Sequence, residues 1–104
     1  MSVNIESRLD DNFWNVGING ELDVAAADKV KEYLNGLVEE QSVDMKIDFS
    51  NLEYIDSTGL GALIGVLKRL KTNEKDIYIL NARKNVKKIF SITGLDKIFF
   101  LLLQ

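Results

Sequence analysis

The sequence has 104 residues, 46% of them hydrophobic, a formal net charge of -3, and no cysteine, histidine or proline. That length fits one domain spanning residues 1–104, and a domain of that size buries roughly two-thirds of its unfolded surface. Missing cysteine and histidine excludes disulfides, thiolate metal sites and the usual neutral-pH general base, so no metal or cofactor is expected. Apart from a cluster at Lys84–Lys88 the basic residues are scattered, which argues against a nucleic-acid binder. No apolar run approaches the roughly 20 residues that cross a bilayer. The start, Met1 to Glu6, lacks the pattern of a signal peptide. A cytoplasmic location without membrane contact is the expectation.

In chain order, Val3, Ile5, Ser7 and Leu9 alternate with polar residues, the period of a half-buried strand. Asp10-Asp11-Asn12 reads as a turn, and Phe13 to about Ile18 as the second strand of a hairpin. Neighbours Phe13 and Trp14 point to opposite faces, one into the core and one partly exposed. Gly20 is expected to break this strand and Asp23 to cap a helix, with a binding role as the equal alternative. Ala26, Val30, Tyr33, Leu34, Leu37 and Val38 then recur at helical spacing to about Glu40.

Asp44 to Phe49 reads as a short strand, and Ser50 to Ile55 as a polar loop with apolar anchors. A helix is expected from Ser57 or Thr58, with Leu60, Leu63, Ile64, Leu67 and Leu70 on its apolar face. Its small residues Gly61 and Gly65 suggest close packing on a sheet. Ile77 to Leu80 reads as a strand buried on both sides. A third helix runs from about Asn85 with Val86, Ile89, Phe90 and Thr93 on one face, and Gly94 closes it in the left-handed conformation. Ile98 to Leu101 makes a last strand, with Leu101 to Gln104 frayed; Phe99 and Phe100 are expected to cover the core. The order β-β-α-β-α-β-α-β predicts an α/β fold, a mixed sheet with helices packed on it.

The most informative run is Asp56-Ser57-Thr58-Gly59-Leu60-Gly61 at the start of the second helix. Ser57 there can serve as an N-cap, with Asp56 and Thr58 as competitors. Gly59 and Gly61 each cost a helix up to about 1 kcal/mol relative to alanine. Glycine in a first turn suits the close approach of a partner or a phosphate.

This run resembles the phosphorylation-site signature of bacterial anti-sigma factor antagonists, which are single STAS domains. Gly20-Glu21-Leu22-Asp23 is similar to the family's loop before its first helix, and Phe90 to Phe99 to its C-terminal Thr-Gly-Leu segment. The resemblance spans nearly the whole chain and implies a STAS-type fold. It implies that the unphosphorylated protein binds an anti-sigma factor that is also a serine kinase, releasing the sigma factor. Ser57 would be the phosphoacceptor, its phosphorylation would switch binding off, and a PP2C-type phosphatase would reset it. Gly20, Glu21, Asp23, Asp56, Thr58, Gly59 and Gly61 would join Ser57 in the partner surface. A monomer is the simpler expectation.

Two other classes compete. An enzyme with Ser57 as nucleophile would have to draw on Lys68 or Lys71 in the absence of histidine, and the Gly-x-Ser-x-Gly elbow is missing. A STAS scaffold or nucleotide-sensing domain of a stress-signalling complex would lack any Walker-type loop.

Overall fold

The computed structural model describes residues 3–102. Its elements are β1 (Val3–Leu9), β2 (Phe13–Leu22), α1 (Ala27–Glu40), β3 (Asp44–Asp48), β4 (Leu52–Ile55), α2 (Ser57–Lys71), β5 (Ile77–Leu80), α3 (Lys84–Thr93), a 3-10 turn (Leu95–Lys97) and β6 (Phe100–Leu102). The sheet runs β1-β2-β3-β5-β6, with β4 paired to the far end of β2. Among the described residues only the β1–β2 pairing is antiparallel; the others are parallel. The sheet is therefore mixed, as expected.

The hairpin turn forms because Asp10 Oδ1 accepts the N–H groups of Asn12 at 3.1 Å and Phe13 at 2.9 Å. Trp14 is the buried member of its pair with Phe13. Its indole N–H donates to the carbonyls of Leu37 at 3.1 Å and Gln41 at 2.9 Å, tying the end of α1 to β2. That pairing lets a large side chain enter the core without leaving its polar atom unsatisfied.

Several boundaries differ from the sequence expectation, each for a physical reason. β2 does not stop at Gly20. Gly20 has φ 102°, open to glycine at no steric cost, and the register shifts between Gly20 and Glu21. The strand pairs with β3 from Phe13 to Gly17 and with β4 from Gly20 to Leu22, so the bulge lets one strand serve two parallel partners. Leu52–Ile55, read as loop, is consequently a strand. The order gains one strand, β-β-α-β-β-α-β-α-β.

One core cluster joins a single face of the sheet to α1, α2 and α3; it includes Val16, Ile18, Met45, Ile47, Ile79, Leu34, Leu63 and Phe90. The alternate residues on the other face, among them Asn15, Lys46, Asp48, Tyr78 and Leu80, are half-buried or exposed. β5 is thus covered on one side only, against the expectation of two. Gly94 closes α3 with φ 77°, as anticipated. Phe99 is in the core, but Phe100 is 48% exposed and stacks on Tyr78 with ring centroids 4.9 Å apart. The final strand starts at Phe100 rather than Ile98, because Leu95–Lys97 first closes a 3-10 turn. Of the frayed tail expected at Leu101–Gln104, Leu103 and Gln104 lie outside the described residues.

Candidate functional site

β2 and β4 are parallel neighbours, and each delivers an aspartate and then a helix at the same edge of the fold. Glu21 lies opposite Tyr54, and Leu22 opposite Ile55. The Asp56 N–H donates to the Leu22 carbonyl at 3.3 Å, and the Gly20 N–H to the Asn51 carbonyl at 2.9 Å. The Gly20–Asp23 segment and the start of α2, 33 residues apart counting from Asp23 to Asp56 (56 − 23), are thereby fixed side by side.

Asp56 is the N-cap of α2. Its backbone is extended, and its Oδ1 accepts the Gly59 N–H at 3.0 Å while its carbonyl accepts the Leu60 N–H at 2.9 Å. Of the three candidates the sequence left open, Ser57 and Thr58 are already helical and cannot cap. Ser57 is instead the first helical residue, and both hydroxyl residues are exposed. Asp56 takes up the third N–H of the turn. The N–H groups of Ser57 and Thr58 have no partner among the described residues. They belong to the unpaired donors at every helix start, where the helix dipole also favours negative charge.

Asp23 does not cap α1 directly. Its Oδ1 accepts the N–H groups of Ala25 and Ala26, both at 3.1 Å, and its carbonyl accepts those of Ala26 at 3.0 Å and Ala27 at 2.9 Å. It closes a turn that precedes the helix, whose own cap position, Ala26, has no side-chain bond. The turn leaves Val24 projecting outward, 69% exposed.

The two glycines of the first turns of α2 have opposite surroundings. A Cβ on Gly59 would stand 2.3 Å from the Leu22 carbonyl oxygen and 2.8 Å from its Cγ. Gly59 is buried and is demanded by the protein's own strand, not by an approaching partner. A Cβ on Gly61 would meet nothing within 4 Å. Gly61 is exposed, so it does not pack on the sheet. At Gly65 the neighbour is the Lys31 side chain of α1, 2.9 Å from such a Cβ, so its small size serves the contact with α1 rather than the sheet.

Of the residues singled out from the sequence, Gly20, Glu21, Asp23, Asp56, Ser57, Thr58, Gly59 and Gly61 therefore lie on or beside the joined ends of β2 and β4. Ser57, Thr58 and Gly61 are exposed, the others half-buried apart from Gly59. Sequence reading missed two apolar neighbours, Val24 and Tyr54, the latter 47% exposed. Tyr54 was hidden inside an expected loop; reading Leu52–Ile55 as a strand would have raised it. Val24 sits outside the helical stripe that starts at Ala26, which is the signal available for it. Among the described residues no group of acidic side chains is arranged to hold a metal ion, and no helix is long and apolar enough to cross a membrane.

The STAS domain family model matches residues 4–104. The chain belongs to the STAS domain family. An anti-sigma-B factor antagonist of Staphylococcus epidermidis is 40% identical over 95 residues, covering 91% of this chain and 88% of that protein. The crystal structure of an anti-sigma factor antagonist from Mycobacterium paratuberculosis superposes with a TM-score of 0.86 at 26% identity, over 99% of this chain and 87% of that one. The fold is also that of the Bacillus cell-fate determinant SpoIIAA in its phosphorylated form, with a TM-score of 0.73 at 20% identity, over 99% of this chain and 93% of that one. The resemblance to anti-sigma factor antagonists read from three short segments thus extends along the chain, and those relatives are regulatory proteins.

Proposed function

We propose that this STAS domain is an anti-sigma factor antagonist acting in the cytoplasm. Its unphosphorylated form binds an anti-sigma factor that is also a serine kinase and frees the sigma factor; phosphorylation of Ser57 ends binding, and a PP2C-type phosphatase restores it. The observation that carries this reading is the placement of Ser57. It is an exposed hydroxyl on the first residue of α2, beside the Gly20–Asp23 segment, in a turn already capped by Asp56. A phosphate there adds about -1.5 to -2 charges. Unpaired N–H groups and the helix dipole tolerate that charge, so the helix need not melt.

The phosphate acts at the interface, by bulk and by charge repulsion. Asp56, Glu21 and Asp23 make the same edge negative, and the added charge turns it against acidic groups on the partner. Gly61 leaves open space on the helix, and Val24 and Tyr54, on the segments that lead into α1 and α2, add exposed apolar area for a partner to bury. Nothing at the site supports chemistry performed by Ser57 itself. Lys68 and Lys71 belong to the last turn of α2, the opposite end of the helix from Ser57, so a serine–lysine pair has no geometric basis.

The test is the affinity of the host's anti-sigma factor for wild type, Ser57→Ala and Ser57→Asp. Ser57→Ala is expected to bind and to resist phosphorylation, and Ser57→Asp to bind weakly. If both bind like wild type, Ser57 is no more than the first residue of a helix.

A further inference from the structure

The face of the sheet turned away from the helices has a gap at Gly17. Strand register sets two rows of residues around it. One reads Glu6, Gly17, Asp48 across β1, β2 and β3; the other, two residues along each strand, reads Arg8, Asn15, Lys46. Gly17 contributes no side chain, and these residues line a hollow of about 510 Å³. Glu6 leans over its floor: a Cβ on Gly17 would stand 3.1 Å from Glu6 Oε1 and 3.2 Å from its Cγ. Its carboxylate is thereby carried across β2 towards Asp48. The hollow is acidic along the Gly17 row and basic along the Asn15 row, yet none of the four charged residues is in an ion pair among the described residues. Glu6 accepts from the Asn19 amide at 3.2 Å, and Asp48 from the Ser50 N–H at 2.9 Å and the Asn81 amide at 3.0 Å, all neutral donors. The Lys46 ammonium lies 4.0 Å from the centre of the Phe13 ring. The Asn15 amide nitrogen donates to Asp10 at 2.8 Å, which leaves its oxygen as an acceptor.

We propose that this hollow binds a small basic amino acid of the arginine or lysine type, with the side-chain cation between Glu6 and Asp48 over Gly17 and the α-carboxylate at Arg8 and Lys46. The two rows are about 7 Å apart, two residues along a strand. An extended arginine or lysine holds its terminal cation and its carboxylate at a comparable separation. Its methylenes then lie along β2, and its α-ammonium meets the free oxygen of Asn15. The carboxylates accept a planar guanidinium or an ammonium in charge-assisted hydrogen bonds. Other ligand classes match one end and clash with the other. A dicarboxylate sets an anion against Glu6 and Asp48, and a diamine sets a cation against Arg8 and Lys46. An apolar molecule covers four charges without pairing any of them. Glycine is too short to reach both rows.

The volume falls within the range of small-molecule sites. Glu6, Arg8 and Asp48 are exposed and Lys46 is half-buried, so the contacts are screened and binding is weak and sensitive to salt. The proposal does not rest on the role given to Ser57. The helix that carries Ser57 packs on the other face of the sheet, so either reading can fail without the other.

Amide NMR titration of the full chain with L-arginine and with L-lysine tests it, at ionic strength held constant with sodium chloride. Saturable shifts are expected at Glu6, Asn15, Gly17 and Asp48, and none with glycine. Agmatine, which is arginine without its carboxylate, should bind about tenfold more weakly than L-arginine, the loss of one charged contact. Gly17→Val fills the floor of the hollow and should abolish the shifts. Glu6→Gln, an exposed change on the edge strand, should weaken L-arginine and agmatine alike by about fivefold, whereas Arg8→Gln should weaken L-arginine by that factor and agmatine not at all. Circular dichroism verifies that each variant is folded, and the two exposed variants decide the matter if Gly17→Val is not. No saturable shift with either amino acid overturns the proposal. So do shifts that a folded Gly17→Val or Glu6→Gln leaves unchanged, or agmatine binding as tightly as L-arginine.

Discussion

α1 and α2 leave adjacent parallel strands through an aspartate, yet they begin differently. Asp56 caps α2 at once, so Ser57 is helical from its first atom and its hydroxyl is presented on a fixed turn. Asp23 instead folds a separate turn onto Ala25 and Ala26, and α1 starts only at Ala27 without a side-chain cap. The directly capped helix start holds the residue proposed to be modified. The start preceded by a separate turn leaves Val24 exposed. A switch needs both: a modification site whose position does not drift, and a neighbouring surface that a partner can bury.

The sharpest way to break this contrast is Gly59→Ala. The new methyl would collide with the Leu22 carbonyl, which belongs to the backbone and cannot swing away. A loss of about 3 kcal/mol in urea denaturation is expected. Gly61→Ala, two residues on, meets open space and should be neutral or stabilising by up to about 1 kcal/mol. If the two variants are equally stable, Gly59 does not clamp the start of α2 to β2.

Next in size is the cap. Asp56→Ala should cost about 1 kcal/mol, and Asp56→Ser should recover most of it. Asp23→Ala should cost less, since it frees a turn rather than a helix end. Hydrogen exchange would localise the first loss to the first turn of α2 and the second to residues 24–26. Equal losses at both sites would erase the distinction between the two helix starts.

Val24→Ser and Tyr54→Ser remove apolar area that is already exposed, so stability should move by less than about 0.5 kcal/mol. Affinity for the anti-sigma factor, read by calorimetry, should fall by about tenfold for each. An unchanged affinity would confine the partner surface to α2.

The smallest effect expected is on pH dependence, away from both helix starts. Burial raises the Asp48 carboxyl, but bonds from Asn81 and the Ser50 N–H outweigh it and leave the group below its ordinary range. Asp10 is lowered too, chiefly by Asn15 and by the N–H groups of its turn. A carboxyl depressed in the folded state contributes stability that is present above its unfolded pKa, about 3.9, and is lost as pH falls through the folded value. Asp48→Asn should therefore weaken the fold near neutrality and flatten its stability profile below about pH 4. A profile as steep as wild type would assign the acid response elsewhere.

Much of this was legible in the sequence because it rests on local chemistry. The alternation in β1, the Asp10 turn, the stripes of α1 and α2, and Gly94 at the end of α3 each follow from residues close in the chain. What escaped depends on distant partners. Leu52–Ile55 is too short to signal a strand, and it becomes one only because Gly20 bulges β2 towards it. Gly59 and Gly61 look alike until Leu22 arrives beside one of them. Ser57, Asp56 and Thr58 all have the chemistry of a cap, and the extended backbone at Asp56 decides among them. Glu6, Arg8, Lys46 and Asp48 of the open face sit on separate strands and come into line only once register aligns them.

The central claim concerns Ser57 on its fixed turn. Its most direct test is to incubate the protein with the host's anti-sigma kinase and ATP, locate the phosphate by mass spectrometry, and measure the affinity of the modified protein for that kinase. A single phosphate on Ser57 with much weaker binding is the predicted result. Phosphate on Thr58, no phosphate, or a Ser57 phosphoprotein that binds as tightly as before would contradict it.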